Sequence, residues 1–352
     1  MAGKRRAKVI PLHSNPGRDA AQRRTDVRRR RHPSLLSDPD GRASGEQIAA
    51  VIHTLDPHRN GAGALGGVDE TPNVLARTVA AVAEFLRRRL TGDYTVDEFG
   101  FDPQLNEAIV LPVLRLWFRS WFRVQVSGIE NLPQTGAALV VANHAGVLPL
   151  DGLMTAVAVR DHHPLNRNLR LLAADMVFDT PMLGLAARKA GHTMACTADA
   201  HRLLAAGELT AVFPEGYKGL GKPFKDRYKL QRFGRGGFVS AAVRSKAPIV
   251  PCSIVGSEEI YPMLADVTPL ARLLGLPYLP ITPLFPLAGP AGLIPLPSKW
   301  HIEFGAPIPT ADYDNSAAED SMVTFELTDQ VRETIQQTLH RLLANRRGVF
   351  SG

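Results

Sequence analysis

Asn143-His144 closes a short apolar run, residues 137–142, and Asp151 follows His144 by seven positions. A polar pair at the end of a buried strand sits where α/β sheets carry their active sites. A neutral His is suited to remove a proton near pH 7, and a nearby Asp is the usual group that orients it. A satisfied core His beside a helix-capping Asp would show the same spacing. A second candidate stretch, Phe213-Pro-Glu-Gly216, ends another apolar run, and Lys218, Lys222 and Lys225 follow it within ten residues. Lysines so placed either hold an anionic group or form an exposed basic loop. No Gly-x-Ser-x-Gly elbow offers a nucleophilic Ser.

These residues need strands to hold them. Residues 137–142 are short, uncharged and β-branched at Val140 and Val141, which predicts a buried strand. Pro149 suits the start of a helix through about residue 159. Further strands are expected over 170–174, 209–213, 248–256 and 300–304, and helices over 183–189, 238–244 and 328–346. The last helix shows an apolar stripe of Val331, Ile335, Leu339 and Leu342. Strands apolar throughout, alternating with helices, argue an α/β fold with a mixed, mostly parallel central sheet flanked by helices.

Upstream the character changes. Residues 1–70 are Arg-rich and punctuated by Pro, Gly and Ser, which predicts a disordered basic arm. Met1 to Arg42 hold twelve Lys and Arg against four Asp, whereas the whole chain carries +7, so the excess lies in the arm. Such a tail is either merely solvated or attracted to an anionic membrane surface. It lacks the interleaved aromatics that stack on bases, so no nucleic acid is expected. Residues 71–123 read as a helical segment. Within it Arg115, Arg119 and Arg123 recur every four residues, with Trp117, Phe118, Trp121 and Phe122 on other faces. That pattern fits either a membrane-interfacial helix or one packing its aromatics on the core.

Two cysteines are too few for a disulfide framework, which points to a reducing cytosolic setting. No signal peptide is apparent. The longest uncharged stretch, 273–298, holds seven prolines and cannot be a spanning helix. It is expected to dip into lipid from one side, to cover an acyl channel, or to form a buried crossover.

Asn143-His144 with Asp151, Phe213-Pro-Glu-Gly216, the basic run after it, and Val250-Pro251 each follow or lie in an expected strand. In order and spacing, across roughly residues 124–310, they resemble the glycerolipid acyltransferase family, which contains glycerol-3-phosphate and lysophosphatidic acid acyltransferases. Two further stretches, Asp97-Glu-Phe-Gly-Phe-Asp102 and Lys229-Leu-Gln-Arg-Phe-Gly-Arg-Gly-Gly237, look like a bacterial subgroup of that family.

The resemblance implies an acyltransferase domain over 124–352, with His144 as general base and Asp151 as its partner. It implies substrate-binding roles for Asn143, Pro214, Glu215 and Gly216, and places Lys218, Lys222 and Pro251 with them. The implied reaction moves a fatty acyl group from acyl-CoA or acyl carrier protein to a hydroxyl of a glycerolipid or lysophospholipid. These are co-substrates, and neither a resident cofactor nor a metal is implied. The expected place is the cytoplasmic face of the membrane, as a peripheral protein. Helix-start N–H groups after Pro149 or in Pro214-Glu-Gly216 are candidates to stabilise the oxyanion. A hydrolase using the same His and Asp on water, or a non-enzymatic membrane-binding protein, are the alternatives.

Two positions depart from the family pattern. The family's His and Asp are five positions apart rather than seven. If the intervening residues were helical, seven positions would mean about 10 Å of rise, so residues 145–148 must form a loop. Gly146 makes that easy. The family's second motif begins with Gly and carries an Arg six positions on that contacts the acceptor's phosphate. Here Gly191 opens that register and Thr197 occupies the Arg position, with Arg188 and Arg202 nearby.

Overall fold

The computed structural model describes residues 8–10, 83–180, 182–234 and 236–351. The chain forms two compact units, Met1–Pro112 with Arg188–Ala190, and Val113–Ala187 with Gly191–Gly352. The remainder of the basic arm, and the start of the helical segment expected over 71–123, lie outside the described residues.

In the first unit, Lys8–Ile10 pair in parallel with Thr95–Asp97, so this part of the arm takes up a strand. The Asp97–Asp102 stretch is a tight turn. One Asp97 oxygen accepts the N–H groups of Phe99 and Phe101, both at 2.8 Å. Asp102 caps the next helical turn through Leu105 N–H at 3.0 Å and pairs with Arg89. Both carboxylates are used to shape the chain.

The second unit is built on a seven-stranded sheet. Its strands are β1 (Gln125–Ser127), β2 (Ala138–Ala142), β3 (Leu169–Ala173), β4 (Thr193–Met194), β5 (Leu209–Val212), β6 (Ile249–Val255) and β7 (His301–Phe304). The spatial order is β1-β7-β6-β2-β5-β3-β4. The five strands from β6 to β4 are parallel; β7 runs against β6, and β1 is parallel to β7. The sheet is therefore mixed and mostly parallel, as the apolar strands predict. Every residue of β2 and β6 is buried, which is why neither alternates polar with apolar.

Helices of this unit include α1 (Leu150–His162), α2 (Thr197–Ala205), α3 (Gly237–Arg244) and α4 (Ser321–Ala344). α4 buries Leu327, Val331, Ile335, Leu339 and Leu342. It begins seven residues before the expected start, because Asp320 caps it by accepting Met322 N–H at 2.8 Å.

Within the helical segment expected over 71–123, helix runs from Pro103 to Trp121 and contains two π-helical turns, Asn106–Val110 and Trp117–Trp121. Phe118 and Phe122 are buried, and the Phe122 ring stacks on Trp300 at 4.5 Å between centroids. Residues 113–123 belong to the second unit. The arginines do not form one solvated row. Arg115 holds Asp161 of α1 at 2.7 Å and Arg119 reaches the same carboxylate at 3.2 Å. Arg123 donates to the carbonyls of Trp121 and Pro297. Val113, Leu116 and Trp121 stay exposed.

Candidate active site

β2 lies in the middle of the sheet, between β5 and β6, so the chain leaving its C-terminal end enters the crevice typical of α/β sites. Asn143 prolongs the ladder with its side chain. Its Nδ2 donates to Ile254 O at 3.0 Å and its Oδ1 accepts Ile254 N–H at 2.7 Å. Both ends of the amide are occupied, so Asn143 ties β2 to β6 and aims the next residue.

That residue is His144. Its Nδ1 lies 2.8 Å from Asp151 Oδ2. The same Asp151 oxygen accepts Ala145 N–H at 2.8 Å, and its other oxygen accepts Gly152 N–H at 2.8 Å. Asp151 is fully buried, so these donors replace the water it has lost. With the carboxylate fixed by three donors, the imidazole has one orientation. Its Nε2 has no hydrogen-bond partner among the described residues.

The two extra residues between His144 and Asp151 form a loop, and α1 starts at Leu150 directly after Pro149. Gly146 has φ +96°, and a Cβ there would lie 2.6 Å from Ser257 O. Val147 has φ +61°, a rare conformation for a β-branched residue. It is held there by its N–H on Leu220 O at 3.2 Å and by the Tyr278 hydroxyl on its carbonyl.

The Phe213-Pro-Glu-Gly216 turn closes the other side. The Phe213 ring packs on the His144 ring, 4.6 Å between centroids. Glu215 is buried and fully engaged: Oε1 accepts His144 N–H at 2.9 Å and Oε2 accepts Gln231 N–H at 2.6 Å. Gly216 adopts φ +54° with open space where a Cβ would be, and Gly219 comes so close that a Cβ would sit 2.4 Å from His144 O.

The expected lysines separate. Lys222 is buried, 3.0 Å from Glu258 and 3.6 Å from Glu215, and so faces carboxylates rather than the expected anionic ligand. Lys218 and Lys225 are exposed. Burial pushes Glu258 up to about 7, against the opposing pull of Lys222. Nothing in the sequence singles out Glu258, since Ser257-Glu-Glu259 resembles any polar turn. Pro251 sits in mid-strand on β6, in register with Val141 and three residues before Ile254, the partner of Asn143. Its carbonyl accepts Gly305 N–H at 2.7 Å. Of the expected oxyanion donors, Gly152 N–H is taken by Asp151 at 2.8 Å and Gly216 N–H by Phe213 O at 3.0 Å.

At the second motif, Thr197 starts α2 behind a Cys196 cap. Arg202 is half-exposed and 3.5 Å from Asp199. Arg170 on β3 is buried and donates from Nε to Gly191 O at 2.8 Å. Burial, with this guanidinium nearby, pushes His192 down to about 4, so it is neutral. An isolated Arg opening an apolar run carries no sequence signal for such a position.

A family model described as acyltransferase matches residues 123–255, the span from β1 to β6. Uncharacterized proteins of Mycobacterium tuberculosis and Mycobacterium leprae are 74% and 70% identical over the whole of this chain and cover 99% and 98% of their own lengths. A Bos taurus protein described as a DGAT1/2-independent enzyme synthesizing storage lipids is 25% identical over 63% of this chain and 60% of its own.

The chain carries an acyltransferase-family domain over residues 123–255.

Among solved structures, the 1-acyl-sn-glycerophosphate acyltransferase PlsC from Thermotoga maritima is similar, with a TM-score of 0.46 and 18% identity over 70% of this chain and 83% of that one. Within this acyltransferase the matched span holds His144, Asp151, the Phe213–Gly216 turn and Pro251, while α4 and the 264–298 segment lie outside it.

Proposed function

We propose that the protein transfers a fatty acyl group from an acyl-CoA or acyl carrier protein thioester to a hydroxyl of a membrane lipid, with His144 as general base. The observation that carries this reading is the 2.8 Å contact between His144 Nδ1 and a buried, three-donor Asp151, which leaves Nε2 available. Nε2 takes the acceptor's proton as its oxygen attacks the thioester carbonyl. The C–S bond then breaks, and the leaving thiolate takes the proton from the imidazolium. Asp151 fixes the tautomer and stabilises the imidazolium while it lasts. The buried Cys252, whose thiol burial pushes up, is unsuited to act as a nucleophile.

Glu215 supports this role by position rather than by touching the acceptor, since both of its oxygens are engaged within the protein. With Thr197 at the family's Arg position, a neutral or zwitterionic lipid acceptor is favoured over a simple phosphate monoester. The bovine relative that synthesizes storage lipids agrees with that choice.

The lipid is met at a membrane surface. No helix among the described residues is long and apolar enough to cross a membrane. Residues 264–294 instead expose a series of leucines, with Leu273 80% and Leu287 89% exposed and Leu264, Leu274 and Leu293 more than half so. An exposed patch of that kind marks a contact with protein or lipid. The same segment sends Tyr278 to Val147 in the active-site loop, and Pro295 accepts Trp121 Nε1–H at 2.9 Å. These contacts link the site to the apolar surface.

The test is to supply labelled acyl thioester with a panel of neutral and lyso-lipid acceptors in vesicles. The reading expects acylated lipid that disappears in His144→Ala. Release of free fatty acid without acylated lipid would assign the site to hydrolysis instead. Flotation with anionic vesicles tests the surface, and Leu273→Asp with Leu287→Asp should release the protein from them.

A further inference from the structure

Val147 lies in the loop that joins His144 to Asp151, at a φ of +61° that a β-branched residue seldom takes unaided. Two contacts from elsewhere in the chain hold it. Its N–H donates to Leu220 O at 3.2 Å, and its carbonyl accepts the Tyr278 hydroxyl. A rare backbone conformation persists only where the surroundings enforce it, so these two bonds fix the loop. The loop in turn fixes Asp151. Ala145 N–H reaches Asp151 Oδ2, the oxygen that faces His144 Nδ1, at 2.8 Å.

Tyr278 is seated firmly enough to do this. Its ring packs on Gly221, where a Cβ would lie 2.8 Å from the ring's Cδ1. Burial, with the Asp151 carboxylate near, pushes the phenol far up, so the hydroxyl keeps its proton and donates. The residue belongs to a hairpin that pairs with itself rather than with the central sheet. Ala265–Asp266 run antiparallel to Pro280–Ile281, and Val267 N–H reaches Leu279 O at 3.0 Å. Leu279 N–H reaches Asp266 Oδ1 at 2.8 Å, and Thr268–Leu273 form a short helix at the tip. Leu264, Leu270, Leu273, Leu274 and Leu276 are exposed on this hairpin.

We propose that Tyr278 is a positioning residue, through which lipid contact by the 264–281 hairpin steadies the loop between His144 and Asp151. The hydroxyl reaches Val147 only while the hairpin keeps its observed place. Seating the leucines in a membrane restricts the hairpin to fewer arrangements, and two sites that share one ordered element are coupled in both directions. The loop is therefore more firmly ordered on a membrane than in solution. The catalytic consequence rests on the acyl-transfer reading; the coupling of hairpin to loop does not.

The test is hydrogen exchange of the full chain, read by mass spectrometry with and without phosphatidylglycerol–phosphatidylcholine vesicles, beside steady-state kinetics of acyl transfer. In wild type the vesicles are expected to slow exchange in both 264–281 and 144–151. Tyr278→Phe keeps the ring on Gly221 and removes only the hydroxyl. It should melt as wild type does, exchange 144–151 about tenfold faster, and keep the vesicle effect on the hairpin alone, as one lost hydrogen bond would give. Its kcat should fall by about tenfold with little change in acceptor KM. Gly221→Ala, which displaces the ring from its other side, should act in the same direction. Exchange of 144–151 that is unchanged in both variants, or unaffected by vesicles in wild type, would overturn the coupling. A loosened loop at wild-type kcat would overturn the positioning role. Exchange is read without turnover, so a wild type that transfers no acyl group refutes the acyl-transfer reading while the coupling is still decided by exchange.

Discussion

Glu215 Oε1 accepts the backbone N–H of His144 at 2.9 Å, joining two motifs that lie 71 residues apart in the chain. The glutamate holds the His144 loop by its backbone, and its second oxygen holds the 230–234 loop through Gln231 N–H. This geometry separates two roles for Glu215 that the sequence leaves merged. As a positioning residue, Glu215→Ala should lower kcat by about tenfold or more while the acceptor KM changes little, with partial rescue by Glu215→Gln, which keeps an acceptor oxygen. Steady-state kinetics over a range of acceptor concentrations decide it. A raised KM at unchanged kcat would return Glu215 to acceptor binding.

Glycines at two points let backbone pass close to backbone. Gly219→Ala would put a Cβ 2.4 Å from His144 O, and Gly146→Ala would put one 2.6 Å from Ser257 O. Overpacking of this kind typically costs about 1–3 kcal/mol, and backbone cannot move aside as a side chain can. Both variants should unfold at lower denaturant concentration and lose activity. Gly136→Ala, with φ +82° but open space, controls for backbone conformation alone and should lose less.

The buried group Lys222–Glu258–Glu215 makes stability depend on pH. Burial raises Glu258 from the ordinary 4.5 to about 7, so between those values the folded chain keeps a proton that the unfolded chain releases. Stability from this group is therefore fully present below about pH 4.5 and is lost as pH rises to about 7. Denaturant titrations should show wild type losing stability relative to Glu258→Gln across that window, and a flat difference above it. A wild type that gains on Glu258→Gln as pH rises would contradict the assignment. Lys222→Met should cost about 3–5 kcal/mol, because it leaves two buried carboxylates without their cation.

Much of this arrangement is legible in residues 137–151 and 209–216. Apolar runs announce β2 and β5, and polar residues at their ends announce the site. The longer loop before Asp151 follows from the rise of a helix alone, and the 2.8 Å contact to His144 agrees with that reasoning. Spacing does not separate side chains that face a ligand from those that hold the frame. Asn143 and Lys222 are polar residues at the right positions, but their partners, Ile254 and Glu258, lie more than thirty residues away in sequence. The helix over 103–121 shows the same limit, since the spacing of Arg115 and Arg119 carries no trace of Asp161.

In the proposed reaction His144, oriented by Asp151, removes the acceptor's proton. The direct measurement is the single-turnover rate of labelled acyl transfer from thioester to lipid by wild type, His144→Ala and Asp151→Asn, each checked for an unchanged melting transition. The account predicts that His144→Ala lowers the rate by about 10²–10⁴, the usual contribution of a positioned general base, and that Asp151→Asn loses a large part of it by releasing the ring. A His144→Ala protein that is folded and transfers acyl groups at the wild-type rate would contradict it.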